Sequence, residues 1–531
     1  MTSTDPGAAS RDRNLDRLVS HPLDVLVVGG GINGAVSALA LAAAGLRVGL
    51  VERHDFGSGT SQESSNMVWG GFKYLEGYEV RLVAELCRSR NQLARAYPTR
   101  LVESRFLAAL GAGTPHPPWF AALGANAYWA LGQFATRRPR HRPAAAIRRL
   151  EPAVDTAQVG GGIEYSDYLL ADNDARFVSE FALAAIDHGA AVANRVEMAG
   201  AERSAAGWRV GLRDVVSGAA LEAEALVLVN AAGPEVPDLE EATGTRTTNR
   251  LVFSKGVHLV VPQITDSGRI LAFFDDGQRL FYVLPMAHRS VIGTTDTRVT
   301  DPQVEVTEED RSFLLHQANA RLELGRSITG DDVIAERCGV RSLVVPPGGT
   351  SDGRDWTELS RQHAVEVDRR RKVISVLGGK LSDCLNVGSE VIESARQCGL
   401  RPMAAARRWY GEPDLAERHR FEDAARVAGI ERPRWPALWR RHGSRALKII
   451  EGIADDPEAG RPLSDRIDYC EAEVAVMGEC EQIGDLDDFL RRRTVLAQVE
   501  RREDLLADPG VARVTEILFG RANSPDDLLS R

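Results

Sequence analysis

The stretch from Asp24 to Glu52 constrains the fold more than any other part of the chain. The apolar run Val25-Leu26-Val27-Val28 leads directly into Gly29-Gly30-Gly31-Ile32-Asn33-Gly34. An Ala/Leu-rich segment follows. The pattern Gly29-x-Gly31-x-x-Gly34 predicts a strand over 24–28, a tight turn, a helix over 33–44 and a second strand over 47–51 that ends at Glu52. Gly29 permits the turn, Gly31 lets the backbone approach a pyrophosphate, and Gly34 lets helix and strand pack closely. The helix N-terminus offers free amides and partial positive charge to phosphates. Glu52, 18 residues after Gly34, is placed to accept hydrogen bonds from a ribose 2′-hydroxyl and would repel a 2′-phosphate. The segment therefore reads as a dinucleotide-binding βαβ unit that disfavours NADP.

At 531 residues the chain is long enough for about three domains. Its formal charge of -10 argues against a nucleic-acid binder. Six cysteines with no C-x-x-C pair make neither a disulfide framework nor a zinc or dithiol motif, so no metal is expected and the compartment reads as reducing. Residues 1–21 are polar, lack an apolar signal region and read as a flexible tail. Two uncharged stretches have the length of a membrane span. The first, 25–46, is broken by the glycine turn. The second, 106–136, is broken by Pro115, Pro117 and Pro118. Beyond those prolines Trp119, Phe120, Tyr128, Trp129 and Phe134 precede Arg137, Arg138, Arg140, Arg142, Arg148 and Arg149, with no acid among the arginines. Aromatics beside an arginine run suit an anionic membrane surface. A core helix followed by a solvated basic loop is the other reading of 119–149.

The segment after Glu52 decides between FAD and NAD. It is a long Gly/Ser-rich loop closed by Gly70-Gly71, where a simple NAD-binding unit would continue into a helix. Two further strand–glycine elements follow, 225–230 into Ala231-Ala232-Gly233 and 376–377 into Gly378-Gly379-Lys380. Three such elements over so long a span suggest one long cofactor threaded through a discontinuous domain, which fits FAD.

The stretch 24–76 resembles the FAD-dependent sn-glycerol-3-phosphate dehydrogenases (aerobic type), with their D-amino-acid-oxidase-like flavoprotein fold. So do Asp172-Asn173-Asp174-Ala175-Arg176, Lys255-Gly256-Val257-His258, Ile292-Gly293-Thr294-Thr295-Asp296, Gly339-Val340-Arg341, Gly378-Gly379-Lys380-Leu381 and the DDFLRRRT run at 487–494. The resemblance spans about residues 22–505. It implies FAD-dependent oxidation of sn-glycerol 3-phosphate to dihydroxyacetone phosphate, with hydride to flavin N5 and electrons to quinone. It also implies a cytoplasmic protein, peripheral on the inner face of the membrane; a homodimer is one reading of its assembly. FAD contacts are implied for Gly29, Gly31, Ile32, Asn33, Gly34, Glu52, Arg53, Thr60, Ser61, Ser64, Ser65, Gly70, Gly71, Val196, Ala232, Gly233, Gly379, Lys380 and Leu381. The reaction needs cations for a phosphate and a base for a hydroxyl. Arg341 offers a planar fork, Lys73 and Lys380 are further cations, His258 titrates in the useful range and Tyr74 can hydrogen-bond substrate.

The sequence departs from the family pattern where a substrate would lie. Lys73 stands where Arg is common, Trp69 where His is usual, Asn66 for Lys, Phe72 for Leu, Ser342 for Pro, and Ser382-Asp383-Cys384-Leu385-Asn386 for a Thr-Thr-Tyr-Arg-like run. Another phosphorylated polyol, such as erythritol phosphate, is therefore the alternative substrate, and oxygen an alternative acceptor. A flavin-binding partner with lost catalysis and an amine-oxidising relative are the competing classes. The expected architecture is α/β plus α: a Rossmann-like FAD domain (22–80, 155–250, 370–400), an antiparallel-sheet substrate domain (81–154, 251–369) and a helical C-terminal domain (401–531).

Overall fold

The computed structural model describes residues 6–111, 113–348, 362–403 and 408–520. Its first sheet runs in the order His363–Asp368, Val373–Gly378, Ala220–Asn230, Leu23–Val28, Val48–Val51, Ala191–Ala193. The Leu23–Val28 strand is central and parallel to both neighbours, pairing Val25 with Val227 and with Val48. Helices cover one face, and the antiparallel strands Val196–Arg203 and Trp208–Asp214 with the Pro6–Ser20 helix cover the other, which is why its strands are near-continuous apolar runs instead of alternating ones. Against the expected 24–28, 33–44 and 47–51, the elements are Leu23–Val28, Ile32–Ala43 and Val48–Val51.

The second sheet has ten strands, mostly antiparallel, and is built around Arg250–Pro262. That strand pairs with Ala335–Val345 on one side and with Arg289–Gly293 and Thr297–Val299 on the other. Leu101–Gly111 and Val159–Leu170 continue the sheet.

Several boundaries differ from the expected ones. Val159–Leu170 lies in the second sheet, although 155–250 was assigned to the first domain. The reason is Leu101–Gly111, a strand that forms the first part of the 106–136 apolar stretch and takes Val159–Leu170 as its antiparallel partner. His363–Asp368 is the antiparallel edge of the first sheet, although 251–369 was assigned to the second. In the C-terminal part, the single helical run expected over 437–453 is two helices, Trp435–His442 and Ala446–Asp455. They are parted at Gly443, whose φ of 53° lies in the left-handed region. Over 463–477 only Glu471–Cys480 is α-helix; an isolated bridge ties Pro462 to Cys470 before it.

The expected N-terminal tail is also corrected. Pro6–Ser20 is a helix. Ser10, Arg11, Asn14 and Leu18 are buried at helical spacing. Arg11 donates to the carbonyls of Asn194 (2.9 Å) and Arg195 (3.0 Å) and pairs with Asp214. One narrow stripe suffices to dock a helix, and mean polarity hides it. Residues 1–5 and the last ten residues, read as loose, lie outside the described residues. Leu18→Ala is expected to cost about 2–5 kcal/mol, seen as an earlier urea midpoint in tryptophan fluorescence; an unchanged midpoint would remove this helix from the core.

Candidate functional site

The glycine turn is shaped for close approach. Gly29 has φ 105°, and a Cβ on Gly34 would fall 1.8 Å from the Gly29 carbonyl oxygen. Gly31 caps the helix, and the Ile32 amide donates to Ser61 Oγ at 3.1 Å. Glu52 accepts from the amides of Gly30 (2.6 Å) and His54 (2.8 Å). Burial pushes its carboxyl above the usual range despite those amides, and each oxygen keeps a lone pair for a further donor. Val196, buried, donates its amide to the Glu52 carbonyl at 2.7 Å. Ala231 packs its backbone on Gly29, and Ala232 and Gly233 begin a short helical turn beside it. The Arg53 guanidinium pairs with Glu235, both half-buried.

Three distant segments hold the loop after Glu52. Thr60 Oγ1 donates to the Val340 carbonyl at 2.8 Å, and Glu63 accepts from the Cys338 amide at 3.1 Å. Ser64 donates its amide to Asp174 at 2.8 Å, and Ser65 is half-buried beside it. The C-terminal domain supplies the third hold. Arg491 reaches Glu63 at 3.1 Å, while Arg492 and Arg493 both meet Asp55, at 2.8 and 2.7 Å. Burial would raise the Asp55 carboxyl, but the guanidinium groups of Arg493 and Arg492 outweigh it and hold it well below the ordinary range. The sequence marked these arginines as a motif without showing their use; their targets are more than 400 residues away.

The second sheet presents His258 and Arg341 on one face. Gly256 pairs with Gly339, Ser254 with Arg341 and His258 with Arg337, so all six share a side. The two glycine positions on neighbouring strands make room. A Cβ on Gly256 would lie 2.3 Å from the Arg341 guanidinium, and one on Gly293 would lie 2.3 Å from the His258 ring. Arg341 donates to Thr294 Oγ1 (2.7 Å) and the Thr295 carbonyl (3.3 Å), and lies 3.5 Å from Asp296. Burial, reinforced by the charges of Arg337 and Arg341, pushes His258 well below 6.5. Arg337 is a site residue that sequence reading missed. It is buried against Asp174 at 2.7 Å, and only the cross-strand register brings it to His258. Lys255, by contrast, faces the opposite side and pairs with Asp310 at 2.6 Å.

Lys380 enters from the glycine turn after Val373–Gly378. A Cβ on Gly378 would lie 3.0 Å from the Ser342 carbonyl oxygen, so this turn packs one residue beyond Arg341. Gly379 has φ 95°, and Asn33 donates to the Gly378 carbonyl at 2.9 Å, joining this turn to the dinucleotide helix. Lys380 Nζ donates to Tyr74 Oη at 2.7 Å and sits over the Tyr74 and Trp69 rings. Tyr74 and Lys73 lie on the short turn Phe72–Leu75 after Gly70-Gly71, with Lys73 half-buried. Leu381 begins the turn that leads to Asp383. Where the family pattern changes, a new pair appears. His363 Nδ1 lies 2.6 Å from Asp383, and its Nε2 lies 3.1 Å from Glu390. Burial opposes charge on His363, but the two carboxylates win and raise it to about 9.

The residues fit a dinucleotide ending in a reactive ring. The glycine cradle has no room for a side chain. Among the described residues, Asn33 Oδ1 and His258 Nδ1 are buried polar atoms without a hydrogen-bond partner, one at the cradle and one on the sheet face that carries Arg341. A parallel α/β sheet with this cradle, set against a large antiparallel sheet, defines a flavin-type oxidoreductase.

A family model described as FAD dependent oxidoreductase matches residues 24–378, and one described as the C-terminal domain of alpha-glycerophosphate oxidase matches 402–523. Glycerol-3-phosphate dehydrogenase 2 of Mycobacterium tuberculosis is 30% identical over 507 residues, covering 92% of this chain and 83% of that protein. Aerobic glycerol-3-phosphate dehydrogenase of Escherichia coli is 28% identical over 495 residues, covering 89% of this chain and 93% of that protein. The glycerol-3-phosphate dehydrogenase of Bacillus halodurans, solved with FAD, superposes with TM-score 0.74 at 22% identity over 99% of this chain and 96% of that one. The chain belongs to the FAD-dependent oxidoreductase family, in its glycerol-3-phosphate dehydrogenase branch. Its cofactor is FAD. Gly34→Ala is expected to yield protein with little flavin, checked as the ratio of flavin to protein absorbance; wild-type yellow colour would contradict the tightness of the cradle.

Proposed function

We propose that this chain oxidises sn-glycerol 3-phosphate to dihydroxyacetone phosphate and delivers the electrons to a quinone. The observation that carries the reading is the convergence of His258 and Arg341 on one sheet face with the Lys380 turn beside it. The relatives named glycerol-3-phosphate dehydrogenase support the substrate. Arg341 supplies a fork for two phosphate oxygens and is braced by Thr294 and Thr295. Lys380 and Lys73 add positive charge, and Tyr74 orients Lys380. His258 is neutral at working pH and takes the hydroxyl proton on a ring nitrogen. FAD, when bound, accepts the hydride from the carbinol carbon.

A second reading keeps the reaction and changes the substrate to another phosphorylated polyol, such as erythritol phosphate. Trp69 against Lys380, Lys73 in place of a fork, and the His363–Asp383 pair favour it.

A quinone acceptor requires access to lipid. Among the described residues no helix is long and apolar enough to cross a membrane. The Pro118–Leu131 helix instead leaves Trp119 64%, Phe120 45% and Leu123 62% exposed, with Phe134 at 61% just beyond. Arg138 and Arg140 are exposed next to them, as is Arg137, which pairs with Glu103, whereas Arg142 is tied to Glu164. This face suits peripheral docking on the anionic inner surface of the membrane.

Adding sn-glycerol 3-phosphate without oxygen is expected to bleach the flavin absorbance. Bleaching by a tetritol phosphate alone would select the second reading, and no bleaching by either would support a protein without this catalysis. His258→Ala should slow bleaching about 10²–10⁴-fold with FAD retained. Because the folded histidine titrates below 6.5, the bleaching rate should be flat above neutrality and fall only on the acid side of that value. A rate still rising between pH 7 and 8 would point to another base. Replacing Arg137, Arg138 and Arg140 by Ser should abolish salt-sensitive co-sedimentation with anionic vesicles; unchanged sedimentation would remove the basic patch.

A further inference from the structure

Beneath the Gly70-Gly71 turn lies a buried charged cluster that the reaction above does not use. Arg90, on the Val80–Ala96 helix, pairs with Asp167 of Val159–Leu170, NH1 to Oδ1 at 2.5 Å. Their side chains are 1% and 0% exposed. Tyr128, from Pro118–Leu131, donates to Asp167 Oδ2 at 2.7 Å, and Arg90 reaches the same hydroxyl at 3.0 Å. Burial holds the Tyr128 hydroxyl well above its ordinary range, so it keeps its proton. The remaining guanidinium nitrogens of Arg90 bond Asn91 Oδ1, and Asn91 donates to the Gly132 carbonyl at 2.8 Å.

A buried ion pair of this kind is weak evidence for stability, because desolvation offsets its attraction. What this one does is geometric. Asp167 Oδ1 accepts the Gly70 amide at 3.3 Å, and the Cys87 thiol lies 3.8 Å from the Gly70 carbonyl. A Cβ on Gly70 would fall 2.4 Å from Tyr128 Oη. Both polar groups of one residue are therefore fixed immediately before Gly71, whose φ is 83°. The turn that follows carries Lys73 and Tyr74. Phe72 rests on Tyr128 with ring centroids 5.4 Å apart and on Tyr165 at 4.9 Å.

We infer that Asp167, Arg90 and Tyr128 form a positioning unit for the reaction: they fix the Gly70 amide so that Lys73 and Tyr74, with Lys380, are set to receive the phosphate group of the substrate. This rests on the phosphorylated-polyol reading above. Tyr128→Phe removes one hydroxyl and leaves the ring packing in place. It is expected to retain FAD with an unchanged spectrum. KM for sn-glycerol 3-phosphate should rise about three- to tenfold, the size of one ordinary net hydrogen bond, with kcat unchanged. The dissociation constant of inorganic phosphate, read from its perturbation of the oxidised flavin spectrum without turnover, should rise by the same factor. Asn126→Ala, exposed on the same helix, should change neither. Asp167→Asn should move both constants further; if it fails to fold, Tyr128→Phe still decides. Unchanged phosphate binding in Tyr128→Phe, or a fall in kcat with KM constant, would overturn the inference alone. If the wild-type flavin responds neither to phosphate nor to a phosphorylated polyol, the substrate reading falls, and this inference with it.

Discussion

Asp55 meets two guanidinium groups from the C-terminal domain, and the path of the loop after Glu52 depends on that meeting. The loop after Glu52 has little regular structure. Left to itself, a Gly/Ser-rich segment of this length would sample many conformations. Arg492 and Arg493 pin it at Asp55, Arg491 pins it at Glu63, and Asp174 takes the Ser64 amide. Arg337 joins the same carboxylate and carries the restraint into the second sheet. Charges buried in this way are costly unless paired, so all three parts of the chain must be in place together. The helical domain is thus part of the machinery that shapes the cofactor loop.

The face that carries His258 and Arg341 follows from strand geometry. A period of two sends His258, Gly256 and Ser254 to one side and Lys255 and Val257 to the other. Lys255 and His258 are three residues apart and read as one motif, but they serve different ends. Lys255 fixes Asp310 at the start of a helix behind the sheet, and His258 faces the site. Gly293 opposite His258 and Gly256 beside the Arg341 guanidinium are as necessary as those side chains, since any Cβ there would occupy their space.

Much of this was legible in the residues. The strand, glycine turn and helix at the N-terminus were readable because local steric rules govern them. The antiparallel strands between 251 and 294 were readable from their turn residues. The Pro6–Ser20 helix was not, because its buried stripe is narrow and polar residues contribute to it; Arg11 is buried through carbonyl and carboxylate partners 183 and 203 residues away. The pairing of Val159–Leu170 with Leu101–Gly111 was not legible, because nothing local to a strand names its partner. The His363–Asp383 pair was invisible for the same reason: the change at Asp383 was evident, its histidine was not.

The sequence by itself determined the dinucleotide cradle, the class of cofactor and the cations available for a phosphate, since each depends on residue type at short spacing. Tertiary structure alone decided which of those cations share a space, which side of the sheet each occupies, and what holds the loops between them. It set Arg337 opposite His258, Lys380 against Tyr74, and Tyr128 beneath Gly70. Those placements depend on strand register and on buried charges finding partners far along the chain, and neither is written in any local pattern.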